Sequence, residues 1–178
     1  MKQGFVFLPI FDYIKTRKRL WKKFLFPLFV AIGILVFAFV FDVKGGLNIE
    51  SVFSNFVNIQ ISAVAILISF SMAIITILVS ADNENICRLK EEKVSNLNYK
   101  PLNSEQLSLF QVLLTNISYN VLIEIIYLII LIGYIFLQLI LPSGAMKYLT
   151  AISIFFIMHI LQTLMECVTQ MYLTFWKK

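Results

Sequence analysis

The sequence predicts an all-α membrane protein with four transmembrane helices, both termini cytoplasmic, and long helices that extend into the cytoplasm. Three observations predict it. Apolar residues make up 60% of the 178 positions and charged residues only 14%, whereas a soluble domain is nearer half apolar and a quarter charged. The apolar residues gather into four runs, at about 24–41, 59–81, 121–141 and 148–169, each close to the ~20 residues that cross a bilayer core of ~30 Å. The Lys and Arg residues divide thirteen to two between the two sides that these spans define. Seven lie in the N-terminal tail, four in the segment 82–106 and two at the C-terminus, against Lys44 and Lys147 opposite. Positive charge marks the cytoplasmic face, so the expected location is the inner membrane, with residues 1–178 forming a single four-helix unit.

Taken in order, the chain begins with an aromatic-rich stretch in which Phe5, Leu8 and either Phe7 or Phe11 share a helical face. That pattern suits a short helix lying on the bilayer surface. A basic cluster follows, Lys15, Arg17, Lys18, Arg19, Lys22 and Lys23, with Trp21 placed for the headgroup region. The first span, 24–41, has a signal-peptide-like basic flank, but Phe41-Asp42-Val43-Lys44 holds no small-x-small cleavage site, so it is expected to be a retained helix. Pro27 falls in its first turn, where a missing N–H costs little. Gly45-Gly46 breaks the chain, and Asn48 or Ser51 can cap the second helix.

Ala65, Ser69 and Ala73 recur every four residues in the second span. Small residues at that spacing allow another helix to approach closely, within the subunit or between subunits. The second helix is expected to continue out of the membrane to about Lys93, with Glu84 and Arg88 in the favourable order for an i,i+4 ion pair. Glu84, Arg88, Lys90 and Lys93 are the candidate contacts for a protein partner. Pro101 ends any helix there, and Asn103 with Gln106 resembles a capping box for the third helix.

The third helix can run from Ser104 to Leu141, about 57 Å at 1.5 Å per residue, far more than the bilayer needs. Its first four turns would stand in water while carrying Leu107, Phe110, Leu113 and Leu114. Exposed apolar surface of that kind marks a contact, either among the extensions themselves or with other chains. The turn Pro142-Ser143-Gly144-Ala145 then folds the fourth helix back against the third.

Each helix of this hairpin carries a polar stripe at the end far from the turn. On the third it is Asn116, Asn120, Glu124 and Tyr127, and on the fourth His159, Gln162, Glu166 and Gln170. Their spacings of three and four put each set on one face, and folding at Gly144 brings the two to similar depth. Ionisable groups within a membrane are costly and face protein or water. The stripes are therefore either a water-lined path, a ring of carboxylates between subunits, or a satisfied seam near the boundary. If Glu124 and Glu166 meet, that pair is the place to look for pH-dependent behaviour.

The function classes narrow accordingly. There is no Gly-rich phosphate loop, no HExxH and no Gly-x-Ser-x-Gly, so no enzyme activity, metal or cofactor is expected. Cys87 and Cys167 read as free thiols on the reducing side. The net charge of +5 sits beside the spans and points to orientation and membrane lipid rather than nucleic acid. Four spans without an internal repeat leave little room for a transport path in one chain, so a homo-oligomer is expected. Three readings follow. One is an oligomeric scaffold or sensor that recruits a cytosolic protein. The second is a small channel or membrane-permeabilising effector lined by the stripes. The third is an enzyme or proton-coupled carrier using Glu124, His159 and Glu166.

In size, four spans, inward termini and polar cytoplasmic segment, the chain resembles the small membrane subunits of bacterial antiphage systems, in particular the membrane component of the Kiwa system. The resemblance spans the whole chain as an architecture and assigns no residue. It implies an oligomeric membrane sensor that recruits a cytosolic effector during phage infection.

Overall fold

The computed structural model describes residues 5–40, 49–80, 84–94, 99–101 and 105–176. After a 3-10 turn at Phe5–Phe7 come six helices: α1 (Leu8–Thr16), α2 (Trp21–Val40), α3 (Ile49–Ser80), α4 (Glu84–Glu91), α5 (Leu109–Leu137) and α6 (Ser143–Trp176). Among the described residues no strand forms. Four helices contain stretches long and apolar enough to cross a membrane: Trp21–Val40, Glu50–Ser80, Leu109–Leu137 and Gly144–Tyr172. The chain is therefore an all-helical, multi-pass membrane protein.

α5 and α6 form the centre, with α3 packed on α5 and α2 on α6. One core cluster joins Phe53, Val57 and Val64 of α3, Tyr127, Leu131 and Tyr134 of α5, and Met146 and Ile160 of α6. A second joins Ile74 and Leu78 of α3, Leu113 and Ile117 of α5, and Leu164 and Cys167 of α6, and it also takes in Ile86 and Leu89 of α4. α2 buries only Pro27 and Ala31. Its Phe29, Phe37 and Val40 point outward, as do Ile66, Ile77, Ile129 and Phe136 on the other helices. Apolar surface on this scale suits lipid as the surrounding medium.

Several boundaries differ from those read in the sequence. α2 begins at Trp21, so Pro27 lies inside the helix rather than in its first turn, and the carbonyl one turn earlier, at Lys23, loses its usual donor. α5 begins at Leu109, capped by Ser108 and Gln111. The Gln111 N–H donates to Ser108 Oγ at 3.2 Å, and the Ser108 N–H donates to Gln111 Oε1 at 2.9 Å. This is a capping box with the usual serine; Asn103, chosen from the sequence, lies outside the described residues. α6 begins at Ser143, so its first turn includes the expected loop.

The apolar start of α5 is covered from within the chain. α4 carries the chain on beyond α3, with 81–83 between them outside the described residues, and its Ile86 and Leu89 are buried in the cluster that holds Leu113 and Ile117. α1 lies on the same end of α5. Glu84 and Arg88 are both exposed and form no ion pair with each other. Ala65, Ser69 and Ala73 are exposed as well, and the Ser69 hydroxyl donates to the Ala65 carbonyl at 3.1 Å. This face does no packing inside the subunit, which leaves only packing against another chain or lipid.

Two backbone bridges tie the connecting segment down. Lys93 pairs with Ser108, the Val94 N–H donating to the Leu107 carbonyl at 3.0 Å and the Leu109 N–H to the Glu92 carbonyl at 2.9 Å. Arg17 pairs with Tyr99, and the Lys100 N–H donates to the Thr16 carbonyl at 2.7 Å.

Removing the Ser108 hydroxyl leaves an end N–H of α5 without its partner. Ser108→Ala is expected to lower stability by about 1 kcal/mol, read as a shift in thermal unfolding of the purified protein in detergent.

Candidate functional site

The side-chain chemistry concentrates where the starts of α2 and α5 meet the ends of α3 and α6. It is built on Arg17. α1 ends at Thr16, and Arg17 leaves the helix in an extended conformation, φ −95° and ψ 133°, which turns its side chain inward. Only 7% of it remains exposed. Its Nη2 donates to Asn116 Oδ1 of α5 at 2.7 Å and lies 3.2 Å from Glu166 Oε2 of α6. Its guanidinium carbon sits 4.8 Å from the Tyr13 ring centre and 5.1 Å from that of Tyr99. Lys23 of α2 pairs with the same Glu166 oxygen.

The contacts continue outward. Asn116 Nδ2 donates to Gln170 Oε1 at 3.0 Å, and Gln170 Nε2 donates to the Tyr99 hydroxyl at 2.8 Å. One buried cation thus ties together α1, α2, the 99–101 segment, α5 and α6. A charge taken out of water costs several kcal/mol unless paired and hydrogen-bonded. A planar guanidinium meets that need here with a carboxylate, an amide and two aromatic faces at once.

Beside this cluster the Tyr13 and Tyr119 rings stack, with centres 3.8 Å apart and planes 2° from parallel. The Tyr119 hydroxyl is 2.8 Å from His159 Nε2 in a hydrogen bond whose direction follows the histidine tautomer. Phe24 stacks on the His159 ring at 4.7 Å. Burial pushes the Tyr13 phenol up to about 12, because the charged form is disfavoured more than the nearby Arg17 favours it.

A third cluster lies farther along α5. Glu124 is fully buried. Its Oε1 accepts from the Ser71 hydroxyl of α3 at 3.1 Å and from Asn120 Nδ2 at 2.7 Å. The Tyr127 hydroxyl donates to the Ser153 carbonyl of α6 at 3.1 Å.

The structure divides the two stripes instead of joining them along their length. Asn116, Asn120, Glu124 and Tyr127 are all buried; His159 is buried, and Gln162, Glu166 and Gln170 are half-buried. Between the stripes, Asn116 pairs with Gln170. Glu124 and Glu166 do not form a carboxylate pair: the first is held by Ser71 and Asn120, the second by Arg17 and Lys23. The physical reason is that Glu166 recruits cations from the N-terminal segment, which the hairpin considered alone did not include. Sequence reasoning also missed Tyr13, Tyr99, Tyr119 and Ser71. Arg17 stood in a run of six basic residues and carried no local mark of burial.

Of the candidate partner contacts, Glu84, Arg88, Lys90 and Lys93 are all exposed. Lys90 Nζ lies 5.5 Å from the Phe110 ring centre. Cys87 is exposed and Cys167 buried, both as free thiols. Among the described residues no group of three or more His, Cys, Asp or Glu side chains comes together to hold a metal ion.

A phenol raised in the folded state favours folding fully below the unfolded value of about 10. That contribution is lost as pH rises through the folded value of about 12. Thermal stability in detergent is therefore expected to fall between pH 10 and 12, and Tyr13→Phe to flatten that part of the profile.

The chain matches no protein-family model, no curated protein and no solved structure.

Proposed function

We propose that the chain is a non-enzymatic scaffold or sensor subunit of the inner membrane, with both termini cytoplasmic, that holds a cytosolic protein partner as a homo-oligomer. The observation that carries this reading is α4. Ile86 and Leu89 fasten it to the start of α5, while Glu84, Arg88, Lys90 and Glu91 stay exposed on a fixed surface. Charged side chains held in place outside the spans can recognise a complementary surface and set its register. The outward Ala65, Ser69 and Ala73 face supports close approach of a second copy. An antiphage setting, in which the partner is an effector, is the context that the architectural resemblance favours.

The alternative is a homo-oligomeric channel or permeabilising effector. A lumen between subunits needs polar residues on an outer face. Glu124, Asn116, Asn120 and His159 instead face neighbours within one chain, which favours the scaffold.

Two measurements test the proposal. Cys87 is exposed on α4 and Cys167 is buried, so a membrane-impermeant maleimide should label Cys87 in inverted membrane vesicles and not in intact cells. Labelling in intact cells would reverse the orientation. For partner binding, native mass spectrometry after gentle solubilisation, with neighbouring genes co-expressed, should show a homo-oligomer carrying a cytosolic protein. Arg88→Glu with Lys90→Glu should release that protein, whereas Glu124→Gln should retain it. A bare oligomer whose ion conductance changes with Glu124→Gln would favour the channel instead.

A further inference from the structure

Between α2 and α6, at the end that holds Arg17, the protein opens into a cleft of about 980 Å³. Its walls change character with depth. At the outer end stand Arg19, just before α2, Lys22 of α2, Tyr99, and Thr169 and Gln170 of α6. Deeper in, α2 contributes Phe26 and α6 contributes Met158, Leu161 and Met165. The helices run in opposite directions, as the contacts Lys23–Glu166, Phe24–His159 and Phe39–Tyr148 show. Rising numbers on α2 and falling numbers on α6 therefore both lead away from the basic end. Lys22 and Phe26 are four apart and share one face of α2, with Arg19 at the entry to that helix.

The charge in the cleft is unbalanced. Arg17, Arg19, Lys22 and Lys23 line it with a single carboxylate, Glu166. That carboxylate is already engaged by Arg17 and Lys23. Arg19 and Lys22 are exposed and have no ion-pair partner among the described residues. The cleft thus offers two uncompensated cations at its mouth and an apolar floor.

We propose that this cleft binds one anionic glycerophospholipid, with its phosphodiester between Arg19 and Lys22 and an acyl chain along Phe26, Leu161 and Met165. A lipid matches both gradients. Its phosphate neutralises the free cations, and its chain covers side chains that are otherwise bare: Phe26 is 54% exposed and Met165 70%. A free phosphate compound shares the headgroup chemistry but has nothing to place on the apolar floor. The site is independent of the scaffold reading, because it uses neither α4 nor the small-residue face of α3.

The test is native mass spectrometry of the full chain in detergent, titrated with phosphatidylglycerol, phosphatidylcholine or inorganic phosphate. One phosphatidylglycerol should bind per chain, more tightly than phosphatidylcholine. Each basic residue near an anionic lipid contributes roughly 1 kcal/mol, so Arg19→Ala with Lys22→Ala should weaken binding about 30-fold. Leu161→Asn should weaken phosphatidylglycerol and leave any phosphate binding unchanged. Lys15→Ala with Lys18→Ala changes the charge equally outside the cleft and should have little effect. Thermal unfolding confirms that each variant is folded. Equal binding of the two lipids, or equal loss with the Lys15 and Lys18 pair, would overturn the proposal in favour of general membrane affinity. Phosphate binding as tight as phosphatidylglycerol, lost with Arg19 and Lys22 and unaffected by Leu161→Asn, would overturn the lipid in favour of a soluble phosphate ligand.

Discussion

The buried Arg17 guanidinium is the constraint on which this end of the protein depends. With 7% exposure it requires a partner, and Glu166 supplies the charge while Asn116, Tyr13 and Tyr99 complete the surroundings. Each of these comes from a different segment. Satisfying one cation therefore fixes the exit of α1, the start of α5, the end of α6 and the course of the connecting segment past Tyr99. Lys23 extends the same requirement to α2, which packs mainly on α6. Interhelical polar contacts in membrane proteins are individually modest, often near ~0.6 kcal/mol. Several converging on one buried charge restrict the arrangement more than their separate strengths imply, because moving any one segment strands the others.

The remaining polar groups divide along the same logic. Those near Arg17 join elements that are far apart in sequence, as Tyr13 with Tyr119 and Asn116 with Gln170 do. Glu124 is instead closed off by α3 and its own helix, through Ser71 and Asn120. The interior is therefore a set of small, separate clusters rather than a continuous polar channel. Apolar layers such as Phe53, Tyr134 and Met146 fill the opposite end. This division explains why function is better sought on the exposed surfaces, at α4 and in the cleft beside α2, than along the hairpin seam.

Much of the fold was legible because membrane spans leave a strong compositional signal, runs of apolar residues. The stripe on α5 was also legible, since Asn116, Asn120 and Glu124 stand out at helical spacing in an apolar run and all three are buried. What escaped was pairing. Glu124 and Glu166 lie on facing helices and invited a meeting, but ion pairs form with whichever charge reaches them, and Arg17 and Lys23 lie more than a hundred residues away in sequence. Ser108-Leu109-Phe110-Gln111 is a better capping box than Asn103 and Gln106, and was readable; the apolar run had drawn the helix start too early. The spacing of Glu84 and Arg88 on α4 suits a solvated helix. Its two apolar residues, Ile86 and Leu89, are spaced by three and were the signal that it packs.

The most direct test of this account is a double-mutant cycle on Arg17 and Glu166, measured as unfolding stability in detergent. If the buried cation organises this end of the protein, Glu166→Gln should destabilise by about 3 kcal/mol, since it leaves Arg17 without a counter-charge, and Arg17→Met by less, since Lys23 still pairs with Glu166. The double variant should then cost clearly less than the two together, with a coupling energy above about 1 kcal/mol. Single losses below about 0.5 kcal/mol, or losses that simply add, would contradict it and make the pair an incidental surface contact.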